Sequence, residues 1–401
     1  MKRLLNVKLD DLKHILLFLC AIIPAIVYKL YCLITKKNFW LISEANEAHD
    51  NGFVFFNYLL KEQKNQRVYY AINKKSVDWH KISEELKENI IPHGTVKHWI
   101  FYLVADINIS SQKGGKPNAA VCYLLEVHGF LRNKRVFLQH GVTLNNPTFL
   151  HYDNTKMRLF LTAAYPEYQY VLKNFGYPNG YVKYTGLCRF DNLHEDISDP
   201  SNILLMPTWR NWLALNGHTD KELAKERKNI ENSQYVRMYN KLLNDPKLIE
   251  LLEKTKKNLF FYPHRGAQKY LDKFDIKSKR IIVCSELEYD VQMLLRKTSL
   301  LITDYSSVSM DVIYMKKPVI FYQFDEEKFR KHQYSESYFN YKDTNLAYFS
   351  DSHEKTIDII QYVVSNNFVT QDNFDFEHKN FFKLYDTKNC ERTYFEICNI
   401  L

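Results

Sequence analysis

Residues 299–322, SLLITDYSSVSMDVIYMKKPVIFY, constrain the fold of this chain more than any other stretch. An apolar run, Leu300–Ile302, ends on the polar knot Thr303-Asp304-Tyr305-Ser306-Ser307. Val308, Asp311, Val312 and Met315 follow at helical spacing, and Lys316-Lys317-Pro318 closes that segment before a second apolar run, Val319–Tyr322. Two short apolar runs joined by a helix read as buried parallel strands of a β-α-β unit. The spacing predicts that Ser306 or Ser307 caps the helix. Free N–H groups and the positive end of the dipole then point beyond the strand's carboxyl end, an anion-binding geometry.

The same alternation continues along the chain. Strands are expected at Phe39–Ser43, Arg67–Ile72, Ile107–Ser110, Arg135–Gln139, Arg158–Leu161 and Val182–Tyr184. A second series follows at Ile203–Met206, Leu259–Tyr262, Ile281–Cys284, Leu300–Thr303 and Val319–Tyr322. Helices are expected at Gln234–Leu243, Leu248–Lys256, Asp290–Lys297 and Ser307–Lys316. Two such series predict an α/β chain of two doubly wound, Rossmann-like domains, with ligands outside the carboxyl ends of the strands and a cleft between the domains. The joint falls near the polar, turn-rich NLHEDISDPSN, residues 192–202. The expected division is 1–38 as a membrane-associating segment, 39–195 and 196–370 as the two domains, and 371–401 as a helical tail.

Composition narrows the class. The 401 residues are 46% hydrophobic and 25% charged, globular values, with a net charge of +9 that favours anionic partners. The seven cysteines are scattered without a C-x-x-C pair, which predicts a reducing compartment, no disulfide framework and no zinc site. The basic residues are dispersed and carry no nucleic-acid motif. Residues 15–34, ILLFLCAIIPAIVYKLYCLI, are apolar except for Lys29 and are flanked by Lys2, Arg3, Lys8, Lys13, Lys36 and Lys37. An anchor lying in or dipping into the cytoplasmic leaflet is favoured over a single span and over a buried core helix, with Lys29 snorkelling. No small-residue cleavage site follows, so an export signal is not expected.

Four strand ends carry chemistry. RVFLQ ends on His140-Gly141, LFFY on Pro263-His264-Arg265-Gly266, ILLM on Pro207-Thr208-Trp209-Arg210, and LLI on Thr303 and the Ser306-Ser307 pair. Imidazole, guanidinium and hydroxyl at equivalent topological positions form a phosphate-handling set. Asp304 reads as orienting a histidine or the Ser-Ser turn; Asp311 reads equally as a site residue or a helix residue. No Walker lysine loop, G-x-G-x-x-G or Asp-x-Asp pair is present, so no nucleotide-bound metal is expected. EVHGF and NEAHD lack metal-ligand spacing and read as structural or peripheral.

QHGVT, MPTWR, YPHRG and LLITDYSSVSMDVIYMKKPVIFYQFD, in that order, resemble the CDP-glycerol glycerophosphotransferase family of teichoic acid and capsule polyol-phosphate transferases. WLISEANEAHDNGFVFFNYL is similar to that family's opening strand and helix, and the resemblance covers roughly residues 39 to 365. It implies the two-domain glycosyltransferase-B fold, a CDP-glycerol or CDP-ribitol donor bound by the C-terminal domain, and a place on the cytoplasmic face of the membrane. By the same resemblance His140 is the general base, and His264 and Arg265 contact the donor phosphates with Thr303, Ser306 and Ser307. Thr208, Arg210, Asp304 and Asp311 are candidate donor-site positions. The segment YFNYKDTNLAYFSDSHE departs from the family pattern in having neither Gly nor Pro. The expected reaction passes a polyol phosphate to a hydroxyl of a lipid-linked glycan or a growing polymer and releases CMP, with no metal or other cofactor. A sugar-nucleotide-dependent glycosyltransferase of the same fold is the alternative.

Overall fold

The computed structural model describes residues 8–131, 133–215 and 219–401, so the flanking charges Lys2 and Arg3 lie outside the described residues. The chain divides into two compact units. Unit 1 takes the described residues up to His140 together with Thr148–Asn192 and Asp386–Leu401; unit 2 takes Gly141–Pro147 and Leu193–Tyr385.

Unit 1 is built on seven strands: β1 (Trp40–Ala45), β2 (Val68–Ile72), β3 (Ile90–Pro92), β4 (Ile107–Ser110), β5 (Lys134–Phe137), β6 (Leu159–Thr162) and β7 (Val182–Tyr184). Their order is β3-β2-β1-β4-β5-β6-β7, and every pairing is parallel. Unit 2 repeats the plan with β8 (Asn202–Leu205), β9 (Asn258–Phe261), β10 (Ile281–Val283), β11 (Leu300–Thr303), β12 (Val319–Tyr322) and β13 (Tyr348–Ser350), in the order β10-β9-β8-β11-β12-β13. These pairings are parallel as well. Central strands such as β11 and β12 are buried along their whole length, as sheets covered on both faces require. In each sheet the winding reverses beside the first strand, at β1/β4 and β8/β11. Such switch points open a crevice at the carboxyl ends.

Helix α1 (Leu9–Thr35) begins with Asp10 and Asp11 in its first turn and carries Pro24 inside. Its buried residues His14, Ala21, Ala25 and Cys32 form a narrow seam of mostly small side chains, spaced for one helical face. α2 (Asn51–Glu62), α3 (Val96–Val104) and α4 (Ala119–Val127) follow β1, β3 and β4, and α1 packs on α3 and α4. Lys29 does not snorkel outward. Its ammonium donates to the Val104 carbonyl (2.8 Å) and to Asp106 (2.9 Å), closing the carboxyl end of α3 and leaving the outer face of α1 without that charge. The last residues form two helices in different units. Phe374–Phe381 belongs to unit 2, whereas Asn389–Cys398 joins unit 1, where the Asp191 carboxylate accepts from the N–H groups of Asn389 (2.8 Å) and Cys390 (2.9 Å).

Candidate active site

In unit 1 the chemistry gathers where β1 meets α2. Asp50 caps α2, its Oδ1 accepting from the Asn51 N–H (2.7 Å). Its Oδ2 makes a short contact with Nδ1 of His140, three residues beyond the end of β5. Arg189 closes the group, pairing with Asp50 Oδ1 (2.9 Å) and donating to the His140 carbonyl (2.7 Å). Asn51 staples the loop from both sides: its amide donates to the Gln139 carbonyl (2.7 Å) and its Oδ1 accepts from the Arg189 N–H (3.0 Å). Gln139 itself sits at φ +69°, a region unfavourable to a residue with a Cβ, and its side chain is tied to Glu167 (2.7 Å). His140 is thus presented by an over-determined loop. Its ring is 61% exposed while Asp50 is 3% exposed, so the carboxylate lies beneath and the imidazole faces outward.

The charges follow from this geometry. The Asp50 carboxylate raises His140 to about 9, outweighing the effect of the ring's partial burial. Burial pulls Asp50 upward, but His140 and Arg189 outweigh it and hold the carboxyl at about 2. Burial, then Asp50, raises Glu47, whose carboxylate accepts from Gln112 (2.5 Å). Deeper still, burial drives Glu44 well above the usual carboxylate range while its Oε1 accepts from the N–H (2.6 Å) and hydroxyl (2.7 Å) of Ser111. Gly52 permits that arrangement, because a Cβ there would fall 2.0 Å from Glu44 Oε1. Glu47, Asp50 and His140 each place one ligand-type atom within 4.8 Å of the others. Both Asp50 oxygens are already committed to His140 and Arg189, so the group fits a charge-compensated carboxylate–imidazole dyad better than a cation cage.

The NEAHD segment is therefore not peripheral. Asp50 and Glu47 stand at His140, and only His49 turns away, to Asp78 (2.5 Å). Sequence reasoning missed Asp50 because an aspartate before a helix reads as an ordinary cap. The available signal was its place at the carboxyl end of β1, beside the switch point. Arg189, in a loop without strand or helix periodicity, offered none. In EVHGF, Glu126 pairs with Lys116 (2.7 Å) and Arg135 (2.8 Å).

In unit 2 the ends of β8, β9 and β11 meet around a buried core of charge. Asp304 accepts from the N–H groups of Thr208 (2.8 Å) and Tyr305 (2.7 Å) and from the Tyr239 hydroxyl (3.1 Å). It also pairs with Arg210 (2.8 Å). Arg210 is 0% exposed and reaches Asp325 through two bonds of 2.8 and 3.0 Å, between the rings of Tyr235, Tyr305 and Phe329. Read from sequence as candidate donor-site groups, Arg210 and Asp304 instead brace the loops. Thr303 is likewise turned inward, its buried hydroxyl donating to the Met206 carbonyl (2.7 Å), and Asp311 is buried within the helix Ser309–Tyr314.

That helix also corrects the expected cap. It starts at Ser309, Val308 holds the cap position, and no side chain caps it. Ser306 and Ser307 form the preceding turn, their carbonyls accepting from Ser309 (3.2 Å) and Met310 (3.0 Å), while the Ser309 hydroxyl ties back to the Ser306 carbonyl (2.7 Å). The half-buried Ser306 and Ser307 keep their own hydroxyls unbonded among the described residues. Thr208 Oγ1, although buried, also lacks a partner. On β9's side, exposed His264 accepts the Gly266 N–H at Nδ1 (3.0 Å), which places the ring proton on Nε2 in that tautomer. Its ring lies nearly parallel to Trp209, 20° apart with centroids 6.4 Å apart. A Cβ on Gly266 would stand 2.8 Å from the Trp209 ring. Arg265 is 61% exposed and steadied by Glu286 (2.9 Å).

Two doubly wound parallel sheets, one ending in an Asp–His dyad and the other in an exposed histidine and arginine beside half-buried serines, define a fold of the glycosyltransferase-B class. Residues 25–399 match the CDP-glycerol:poly(glycerophosphate) glycerophosphotransferase family, and the chain belongs to it. Over 387 residues it is 28% identical to the minor teichoic acid biosynthesis protein GgaB of Bacillus subtilis (strain 168), a match covering 93% of this chain. The chain spans 41% of that relative's length. Among solved structures it is similar to the wall teichoic acid polymerase TagF, with a TM-score of 0.63 and 14% identity over 94% of this chain and 96% of that one. The UDP-GlcNAc 2-epimerase of Methanocaldococcus jannaschii shares the fold more distantly, with a TM-score of 0.52 and 13% identity over 90% of this chain and 99% of that one.

Proposed function

We propose that this chain transfers glycerol phosphate or ribitol phosphate from the CDP-polyol to a hydroxyl of a growing teichoic-acid or capsule polymer, or of a lipid-linked glycan. The observation that carries the reading is the Asp50–His140 dyad, with family membership naming the donor class. The acceptor oxygen forms a bond to the phosphorus bearing the polyol, the bond from that phosphorus to the bridging oxygen breaks, and CMP leaves with the electron pair. Nδ1 of His140 is held by Asp50, so Nε2 on the exposed side of the ring takes the hydroxyl proton. His264, Arg265 and the hydroxyls of Ser306 and Ser307 are assigned to the donor's phosphates, where fixed donors stabilise developing charge. The transfer needs no metal in this reading. The long apolar helix α1 supports a place on the cytoplasmic face of the membrane, near a lipid-linked acceptor.

CMP release tests the proposal, with CDP-glycerol, CDP-ribitol and UDP-glucose offered beside a lipid-linked acceptor analogue. CMP from a CDP-polyol, lost in His140→Ala, is expected. UDP formation alone would replace the proposal with the sugar-nucleotide reading.

A further inference from the structure

We propose that unit 1 carries a second anion site, distinct from the dyad, that takes the phosphate headgroup of an anionic membrane lipid at the foot of α1. It rests on the reading of α1 as the membrane-facing helix. The site is a concavity of about 750 Å³ at the amino-terminal ends of the strands, lined by Lys29, Lys36 and Lys134 with Asn38, Asn65 and Asn133, and also by Leu401 and by Asp106, the ion-pair partner of Lys29. β5 starts at Lys134 in this wall and leads to His140 beyond its other end, six residues or about 20 Å away along an extended chain.

The outer face of α1 supplies the orientation. Leu16 (64% exposed), Ile23 (73%) and Ile34 (81%) stand out from it, with Leu19 and Leu30 between them and Leu12 one turn before. A contiguous apolar face of this length on a folded unit marks an interaction surface. Lys29 and Lys36 belong to the last two turns of that helix or its cap, so the cavity opens where the apolar face ends. An interfacial helix places its ends at headgroup depth, with lysines beside lipid phosphate.

The chemistry of the lining fits that ligand. Each ammonium has three donors. Lys29 uses two, on the Val104 carbonyl and the Asp106 carboxylate, and Lys134 uses two, on the Ile400 carbonyl (2.9 Å) and a main-chain oxygen of the last residue, Leu401 (2.8 Å). One N–H on each remains for a phosphate oxygen. The Lys36 ammonium makes no hydrogen bond or ion pair among the described residues, and neither do the side-chain amides of Asn38 and Asn65. Their amides and the lysine donors match the ester oxygens and hydroxyls of a phosphoglycerol headgroup.

Binding of the full chain to sedimentable vesicles tests this, comparing neutral phosphatidylcholine with a phosphatidylglycerol mixture. The wild type is expected to bind both and to prefer the anionic vesicles. Lys36→Glu changes two charges in the cavity wall and should lower anionic binding about 25-fold, at roughly five-fold per charge near an anionic surface. Lys37→Glu makes the same charge change one residue outside the wall and should cost clearly less. Equal losses in the two variants would mean diffuse attraction and would overturn the headgroup site. Leu19→Gln with Ile23→Gln should abolish binding to both vesicle types. No wild-type binding to neutral vesicles would overturn the reading of α1, and the site with it. Because the assay measures no turnover, loss of the transferase proposal would leave these outcomes unchanged.

Discussion

Replacing Asp50 by asparagine keeps the cap and the shape of the side chain but removes the charge beneath His140. With the imidazole at about 9, only about 1% of the free enzyme carries a neutral ring at pH 7; at its ordinary value of 6.5, about three-quarters would. As a base, the wild-type dyad should therefore give a kcat/KM that climbs with pH toward a plateau with an inflection near 9. Asp50→Asn should move that inflection down toward 6.5 and lower the plateau by 10²-fold or more, because a less basic and less fixed imidazole is a poorer proton acceptor. The assay is CMP release across pH 6 to 10, with a buffer series at constant ionic strength. A wild-type rate that falls as pH rises through 9 would refute the base role and assign the imidazolium to charge stabilisation. An inflection unmoved in Asp50→Asn would refute the dyad altogether. The same pair predicts a stability window. His140, raised by folding, contributes below its unfolded value of 6.5 and loses the contribution as pH rises through about 9; Asp50, lowered, contributes above 3.8 and loses it as pH falls through about 2. The difference in Tm between wild type and Asp50→Asn should therefore be largest between about pH 4 and 6.5.

Other substitutions separate scaffold from site. Arg210→Met leaves the buried carboxylates of Asp304 and Asp325 without their cation and should cost about 3–5 kcal/mol in urea unfolding; an unchanged midpoint would return Arg210 to the donor site. Ser306→Ala with Ser307→Ala should leave Tm unchanged, since neither hydroxyl is bonded, but reduce kcat/KM for the CDP-polyol at least ten-fold. A lowered Tm with unchanged kinetics would contradict that assignment. Gly52→Ala sets a methyl against the Glu44 carboxyl and should lower stability by about 1–3 kcal/mol by thermal unfolding.

The strands were legible because a strand buried on both faces must be a short apolar run, and eleven such runs stand out along the chain. β3 and β13 did not stand out. Both have three residues at a sheet edge, as β7 and β10 do, but β3 also ends in proline and β13 reads Tyr-Phe-Ser, with no aliphatic side chain. The strand ends also told where chemistry collects, since the switch point of a doubly wound sheet follows from strand order. They did not tell which side chains point outward. Once the chain leaves the strand its period of two is lost, and Thr-Trp-Arg after β8 gives no sign that the guanidinium folds inward onto Asp304 and Asp325 while Trp209 turns to His264. The Ser-Ser turn misled for a related reason. Serines suit both a cap and the turn before one, and the bond from Ser309 back to Ser306 shifts the helix start toward the later residue. Asp50 and His140, 90 residues apart, belong to different loops that only the β1–β4–β5 order brings together. A sequence can announce a histidine at a strand end, but the carboxylate that sets its charge is chosen by topology. Arg189 makes the point again from a third loop, holding Asp50 with one nitrogen and shaping the His140 turn through the carbonyl that the same nitrogen reaches.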